Sequence, residues 1–363
     1  MKKDKPFFIQ PERILVISMR YLGDVLLTTP LLHTLRRTYP DCKLDILVFD
    51  STAAILEGNP DIDRVIPISQ RPPLSESLKL IYRLFRNYDL AVVTQTGDRP
   101  FYYSLIASGT RIATVPPKKS TGWWKRFFMR YWIEFDDKET HTVLQNLKLG
   151  EFIGASPRFS LVPPRTSEKI HSPAFSPEVK NYAVLHILPQ WQYKRWTEQG
   201  WIAICRYLDN QGIRIVLSGS PAQAEIDYIA RIQKSLPSSV INIAGKVSLA
   251  QLSDIISRAS LFIGPDTGIT HLAAATGISV IALYGPTNPV KWAPWPADYR
   301  ESKNPFQRKG SQQVNNVFLI QGEAKCVPCH KEGCDNHRLS HSECLDTLSP
   351  QTVINTIQKM LKR

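Results

Sequence analysis

The 363-residue sequence contains no apolar run approaching the about eighteen residues that a membrane-spanning helix needs, so no span is expected. Its opening, Met1 to Phe8, is basic but lacks both the apolar stretch and the small-residue cleavage site of a secretory signal, which makes the cytoplasm the expected compartment. Also missing is the glycine pattern of a dinucleotide-binding turn. Gly23 stands alone between Ser18 and Pro30, so a nicotinamide cofactor is not expected. There is no short-period repeat and no low-complexity tract. Acidic residues are in deficit, 32 against 45 Lys and Arg, for a net charge of +13. Such an excess requires an anionic partner, and nucleic acid, anionic lipid headgroups and a phosphorylated substrate all satisfy it.

What is present is an α/β alternation in a chain long enough for two domains. From residue 13 to about 154, β-branched runs at 14–17, 44–49, 64–68, 90–93 and 111–115 alternate with helical stretches at 24–39, 52–59, 74–88 and 100–108. After a stretch rich in Pro and Ser the pattern resumes, with strands at 182–188, 213–217, 240–244, 260–263 and 279–284. Helices at 197–210, 222–236, 249–259 and from Asp266 or Thr267 to a stop at Gly277 lie between them, and Ser349-Pro350 starts a terminal helix. Ser220-Pro221 likewise reads as a cap before a first-turn proline, and Ser248 with Gln251 as a capping box. Repeated alternation predicts parallel sheets covered on both faces. The expected fold is α/β, two Rossmann-like domains facing each other across a cleft: 1–155, a linker at 156–180 whose composition fixes no single conformation, and 181–363.

The stretch Gly264-Pro265-Asp266-Thr267-Gly268-Ile269-Thr270-His271 predicts a strand, a tight turn and an exposed helix N-terminus at the carboxyl edge of a parallel sheet. Unpaired amides and a positive dipole pole make that end a seat for a nucleotide diphosphate. Asp-Thr-Gly is also the signature of aspartic proteases. Those need two such carboxylates on an all-β frame, and this chain has one within a strand-helix-strand unit, so the protease reading is rejected. A first strand-to-helix turn carries Gly23-Asp24, with Asp24 either a helix cap or a group facing the cleft. The loop Pro189 to Thr197 carries Lys194-Arg195, two cations at a carboxyl edge that can neutralise a departing diphosphate. Ser218-Gly219 ends another strand and is a weaker donor-side candidate.

Three segments together, Arg20-Tyr21-Leu22-Gly23-Asp24-Val25-Leu26-Leu27-Thr28-Thr29-Pro30, Lys194-Arg195-Trp196 and Gly264 to Ala275, resemble the motifs of the lipopolysaccharide heptosyltransferases of glycosyltransferase family nine. The resemblance spans residues 13 to about 290 in the right order. It implies the GT-B fold, with acceptor bound mainly by the first domain, ADP-heptose mainly by the second, and an inverting sugar transfer. By motif position it makes Asp24 the catalytic base and Lys194 the diphosphate-neutralising lysine, and it adds His271 to the donor site. Gly23, Ser218, Gly219, Asp266, Thr267 and Gly268 complete the expected donor side, with Asp266 capping the helix or holding sugar hydroxyls. Arg20 and Arg99 are the expected acceptor contacts. A base beside the acceptor hydroxyl and a charged seat for the leaving nucleotide suit that chemistry.

Two segments fall outside these motifs. As a helix, 118–132 would set Trp123, Trp124, Phe127, Phe128 and Tyr131 on one face and Lys125, Arg126 and Arg130 on another, which fits either an anionic inner leaflet bearing the lipid-anchored acceptor or an aromatic stripe packed on the first sheet. Cys326, Cys329, Cys334 and Cys344 cluster with three histidines. C-x2-C resembles half of a zinc site, but the second pair is nine residues apart rather than two to four, so no catalytic metal and no cofactor are expected and the cysteines stand only as structural candidates. The expected function is transfer of heptose from ADP-heptose to the lipopolysaccharide core, leaning to the branching third heptose, at the cytoplasmic face of the inner membrane. The alternatives are a GT-B transferase using another nucleotide sugar, and a basic non-enzymatic nucleotide- or nucleic-acid-binding protein; no nucleic-acid partner is expected on the leading reading.

Overall fold

A computed structural model describes residues 9–168 and 181–361; of the expected linker, 169–180 lies outside the described residues. The chain divides into two compact units, one running to Pro164 and taking in Arg300–Lys303, the other comprising Arg165–Tyr299 and the chain from Asn304.

The first unit contains β1 (Arg13–Ile17), α1 (Leu22–Leu26), α2 (Thr29–Thr38), β2 (Lys43–Phe49), α3 (Asp50–Ala53), β3 (Arg64–Ile68), α4 (Leu74–Leu84), β4 (Leu90–Val93), α5 (Asp98–Ala107), β5 (Arg111–Val115), β6 (Tyr131–Glu134) and α6 (Thr142–Glu151). Its strands are all parallel, in the order β3-β2-β1-β4-β5-β6. Strands such as Ile14–Ile17 and Leu90–Val93 are buried throughout, as both-sided cover requires. Leu80 and Leu84 of α4, Phe101 and Ala107 of α5, and Met129 pack with Leu15, Ile17 and Val93 on one side of the sheet.

The second unit contains β7 (Tyr182–His186), α7 (Glu198–Asn210), β8 (Arg214–Ser218), α8 (Gln223–Gln233), β9 (Ile241–Asn242), α9 (Leu249–Ser257), β10 (Leu261–Pro265), α10 (Gly268–Ala275), β11 (Val280–Tyr284), α11 (Pro289–Trp292), β12 (Gln312–Val314), β13 (Val317–Gln321), α12 (Glu343–Asp346) and α13 (Pro350–Leu361). Its order is β12-β13-β11-β10-β7-β8-β9, parallel except for the β12–β13 hairpin. Trp196, Trp201, Ile204 and Leu208 pack on Leu185 and Leu217 in its core. Side-chain caps start α7, α9 and α10: Thr197 accepts from Gly200 N, the Ser248–Gln251 capping box is complete, and Thr267 accepts from Thr270 N. α10 stops before Gly277, whose φ of +87° is the left-handed conformation that glycine tolerates.

The structure corrects three local expectations. Residues 118–132 are not a helix with outward cations: a 3-10 helix at Trp123–Phe128 leads into β6, Lys125 and Arg126 are buried, and Trp123, Phe127 and Phe128 are exposed. Lys125 Nζ lies 2.5 Å from Asp98 Oδ1 and donates to the Thr96 carbonyl, while Arg126 sits 4.8 Å over the Trp132 ring, so each inward charge has a partner. Ser220 does not cap α8, whose N-cap is Ala222; its hydroxyl instead donates to Glu225. Asp24 is not a cap either, since Tyr21 holds the N-cap position of α1. Among the described residues, no helix is long and apolar enough to cross a membrane.

Candidate active site

In open parallel sheets, ligands bind at the carboxyl edge where successive connections leave in opposite directions. That point falls between β1 and β4 in the first sheet and between β7 and β10 in the second. The turns after those four strands carry most of the residues singled out above.

After β1 the chain turns sharply into α1. Thr28 Oγ1 donates to the Asp24 carbonyl at 2.9 Å, Ser18 Oγ lies 3.2 Å from Thr28 Oγ1, and Asn146 Nδ2 donates to the Leu27 carbonyl, so buried hydroxyl and amide groups anchor the turn from beneath. Gly23 and Asp24 occupy the first turn, where a carboxylate complements the helix dipole. Arg20 Nε lies 3.4 Å from Asp24 Oδ1, with the two side chains 39% and 15% exposed. Arg20 is therefore paired with Asp24 rather than standing as a lone cation. Arg99, on α5 after β4, leans across the sheet edge, its guanidinium 5.9 Å from the Phe49 ring and 3.5 Å from the Ser69 carbonyl.

The second switch point is tighter. Lys194 Nζ, from a 3-10 turn at Gln192–Lys194, lies 2.6 Å from Asp266 Oδ2, and the side chains are 19% and 7% exposed. Asp266 therefore neutralises the lysine; the cap of α10, one of its expected roles, belongs to Thr267. Burial pushes the Asp266 carboxyl up. The Lys194 ammonium and its hydrogen bond, a hydrogen bond from Thr287 and the field of His271 outweigh that and hold it below the ordinary carboxylate range. Tyr284 Oη donates to the Trp292 carbonyl at 2.7 Å, and burial together with the nearby Asp266 charge pushes its phenol well up. His271 is buried, and burial brings its pKa down to about 4, with Asp266 opposing the fall and Lys194 adding to it, so the imidazole is neutral at neutral pH. Its Nδ1 has no hydrogen-bond partner among the described residues. Thr267 and Gly268 open α10 beside this group.

The scan of family models returns Glycosyltransferase family 9 (heptosyltransferase), matching residues 79–319. Lipopolysaccharide heptosyltransferase 3 of Escherichia coli (strain K12) is 30% identical over 292 residues, 76% of this chain and 83% of that protein. The chain belongs to glycosyltransferase family 9. It is accordingly a glycosyltransferase. The crystal structure of the family 9 glycosyl transferase from Veillonella parvula DSM 2008 matches with a TM-score of 0.76 at 19% identity, covering 96% of this chain and 97% of that one. Escherichia coli heptosyltransferase WaaC with ADP matches with a TM-score of 0.71 at 21% identity, covering 96% and 99%. These likenesses establish the GT-B fold.

The remaining residues of this glycosyltransferase that the sequence singled out lie elsewhere. Ser218 Oγ is buried 3.1 Å from His186 Nδ1 and reaches the Leu185 carbonyl, and a Cβ at Gly219 would lie 2.6 Å from Ile229. Arg195 stacks 5.7 Å from the Tyr228 ring. Cys344 is buried, and burial, followed by the neighbouring Cys329, Cys326 and Cys334, pushes its thiol up to about 12. Among the described residues no three His, Cys, Asp or Glu side chains form a group that could hold a metal ion. The cysteine-rich loop is tied instead to the Lys194 segment: Gln192 N donates to the Arg338 carbonyl, Ser342 Oγ to the Tyr193 carbonyl, and Arg338 stacks 4.4 Å over Trp191. Thr287 and Tyr284 were not anticipated. Tyr284 ends β11, beside β10, and only strand order brings it to Asp266.

Proposed function

We propose that this enzyme transfers heptose from ADP-heptose to the inner core of lipopolysaccharide with inversion, adding the branching third heptose. The single observation that carries the donor half is the buried Lys194–Asp266 pair beside the N-terminus of α10, where a cation, backbone amides and the unpartnered Nδ1 of neutral His271 converge. Similarity to heptosyltransferase 3 supports the choice of sugar and core position.

On this reading Thr267 and Gly268 amides bind the diphosphate, and Lys194 stabilises the charge that grows on ADP as the anomeric bond breaks. Asp266 keeps Lys194 in place and remains ionised. Asp24 takes the proton from the acceptor hydroxyl as that oxygen attacks the anomeric carbon from the side opposite ADP, which inverts the configuration. Arg20 and Arg99 contact the acceptor. Lys194, whose charge Asp266 balances, and the α10 amides supply hydrogen-bond donors and the positive end of the helix dipole to the leaving group. Because the acceptor is lipid-anchored, the proposed place of work is the cytoplasmic face of the inner membrane, peripherally bound.

The test is to incubate the protein with ADP-heptose and lipopolysaccharide acceptors truncated at successive core positions, following ADP release and acceptor mass. The expected result is gain of a single heptose on the acceptor that lacks only the branching residue. Gain at another core position would reassign the step, and no gain on any acceptor would overturn the reading.

A further inference from the structure

Of the ten large hydrophobic side chains exposed among the described residues, eight lie on one side of the first unit. Four belong to α4 and its end: Leu74, Leu78, Tyr82 and Phe85 recur at the three- and four-residue spacing of a single helical stripe. The helix already satisfies the core through Leu80 and Leu84, so this stripe is a second apolar face, with Tyr82 88% exposed. α4 packs beside α5, whose Tyr102 is exposed and in ring contact with Phe101 at 5.5 Å. Phe101, buried beneath them, meets Phe128 at 5.9 Å, and Trp123 meets Phe127 at 5.5 Å, so a shared aromatic core joins α5 to the exposed aromatic turn. Packing has no use for rings that point outward, and exposed apolar groups gathered in one region mark interaction surfaces.

The charges around the patch select the partner. Lys79 and Arg83 are exposed along α4, and Lys118 and Lys119 are exposed just ahead of Trp123. The acidic side chains nearest them are engaged, Glu76 by the Ser69 amide and hydroxyl and Asp98 by Lys125. Apolar rings flanked by exposed lysines match a bilayer whose headgroups are anionic and whose acyl boundary accepts aromatic side chains. We infer that the α4–α5 face and the Trp123–Phe128 turn dock this enzyme on an anionic lipid bilayer. The inference deepens the reading that the acceptor is lipid-anchored and rests on it for its purpose; the surface itself rests on α4, which had not been singled out in the sequence.

The test is flotation of the full-length protein with vesicles of phosphatidylethanolamine and phosphatidylglycerol, and with phosphatidylcholine alone. The wild type is expected to float with the first and at least about thirtyfold less with the second, since loss of even two lysine contacts is a factor of that order. Lys118→Gln with Lys119→Gln should lower binding about thirtyfold, from ~1 kcal/mol per cation near the surface. Tyr82→Ser with Phe85→Ser, and Trp123→Ser with Phe127→Ser, should each abolish flotation without lowering the thermal midpoint, because these side chains are exposed. Wild-type binding retained in both serine pairs, equal binding to both vesicles, or retention on single-stranded nucleic acid in place of vesicles would overturn the inference. Heptose transfer to a detergent-dispersed acceptor separates the two readings. Vesicle binding without transfer sinks the functional reading and leaves the surface standing, whereas transfer without vesicle binding does the reverse.

Discussion

Asp24 stands on a five-residue helix, 3.4 Å from an arginine that is itself 39% exposed, whereas Asp266 lies 2.6 Å from the largely buried Lys194 with Thr287 and Tyr284 against it. Both carboxylates follow a strand at a topological switch point, so the sheets give them equivalent stations. Their surroundings separate them. A carboxylate held by a buried ammonium and the Thr287 hydroxyl is kept ionised and makes a poor proton acceptor; it serves as a counter-ion that fixes the lysine. Asp24, in the first turn of α1 with Arg20 3.4 Å away, keeps 15% of its side chain exposed against 7% for Asp266. On the proposed reading the second switch point holds the leaving nucleotide and the first takes the incoming hydroxyl.

The largest effect should come from Asp24→Asn, which removes the proposed proton acceptor and leaves the Lys194–Asp266 pair unaltered. Transfer is expected to fall about 10²–10⁴-fold, while ADP affinity measured by calorimetry stays within a few-fold. A parallel loss of ADP binding would erase the contrast between the two carboxylates. Next is Lys194→Met, which strands Asp266 without its cation. Breaking one partner of a buried pair costs ~3–5 kcal/mol, so denaturant unfolding should show a marked loss of stability together with weakened ADP binding. Combining it with Asp266→Asn should restore most of the stability and none of the binding, and a single variant as stable as the wild type would show the clamp to be unimportant.

A third effect is pH dependence. Burial lowers His271 to about 4 from its ordinary 6.5, so between those values the unfolded chain binds a proton that the folded one refuses. Its contribution is complete above pH ~6.5 and is lost as the pH falls toward 4, by ~3 kcal/mol. Burial lowers His186 as well, in the same direction, and the depressed Asp266 carboxyl adds a further loss below its unfolded value of 3.8. His271→Asn should flatten the pH–stability curve between pH 4 and 6.5, and an unchanged curve would mean the imidazole is not shielded. The smallest effect is expected from Arg20→Ala. The Arg20–Asp24 pair is exposed enough that stability should change by no more than ~1 kcal/mol, read as a small shift of the thermal midpoint.

Elements with a clean period were legible in the sequence. The strands at 64–68 and 90–93 fall where the β-branched runs place them, and Ser248 with Gln251 caps α9 by a rule that needs no tertiary information. α6 was missed because nearly all of Thr142–Gly150 is buried, which leaves no polar face to reveal a helical period. The hairpin β12–β13 turns at Asn315, in the left-handed conformation that asparagine tolerates, and this signal went unread. The Trp123–Phe128 segment misled because its alternation of rings and cations imitates an amphipathic helix. Local partners at Asp98, Thr96 and Glu134 make burial of the two cations affordable, and none of them is visible in the local period. In the site, Asp24, Lys194 and Asp266 could be singled out by motif. The Lys194–Asp266 clamp could not, since only the adjacency of β7 and β10 joins residues so far apart in the chain.

A side chain at Gly322 would collide with the Cys344 carbonyl, and the loop that this glycine admits bears Arg338 and Ser342, the two anchors of the Lys194 segment. Ser342 and Tyr193 are 149 positions apart, yet neither can drift alone. Across descendants of this sequence, a change at 322, 338 or 342 should be accompanied by a compensating change at 191–194, so these positions should appear as covarying columns even where no single column is invariant. The lysine is passed on as part of a linked set, and a graft of the Lys194 loop into a distant homologue would carry its geometry only if the cysteine-rich loop travelled with it.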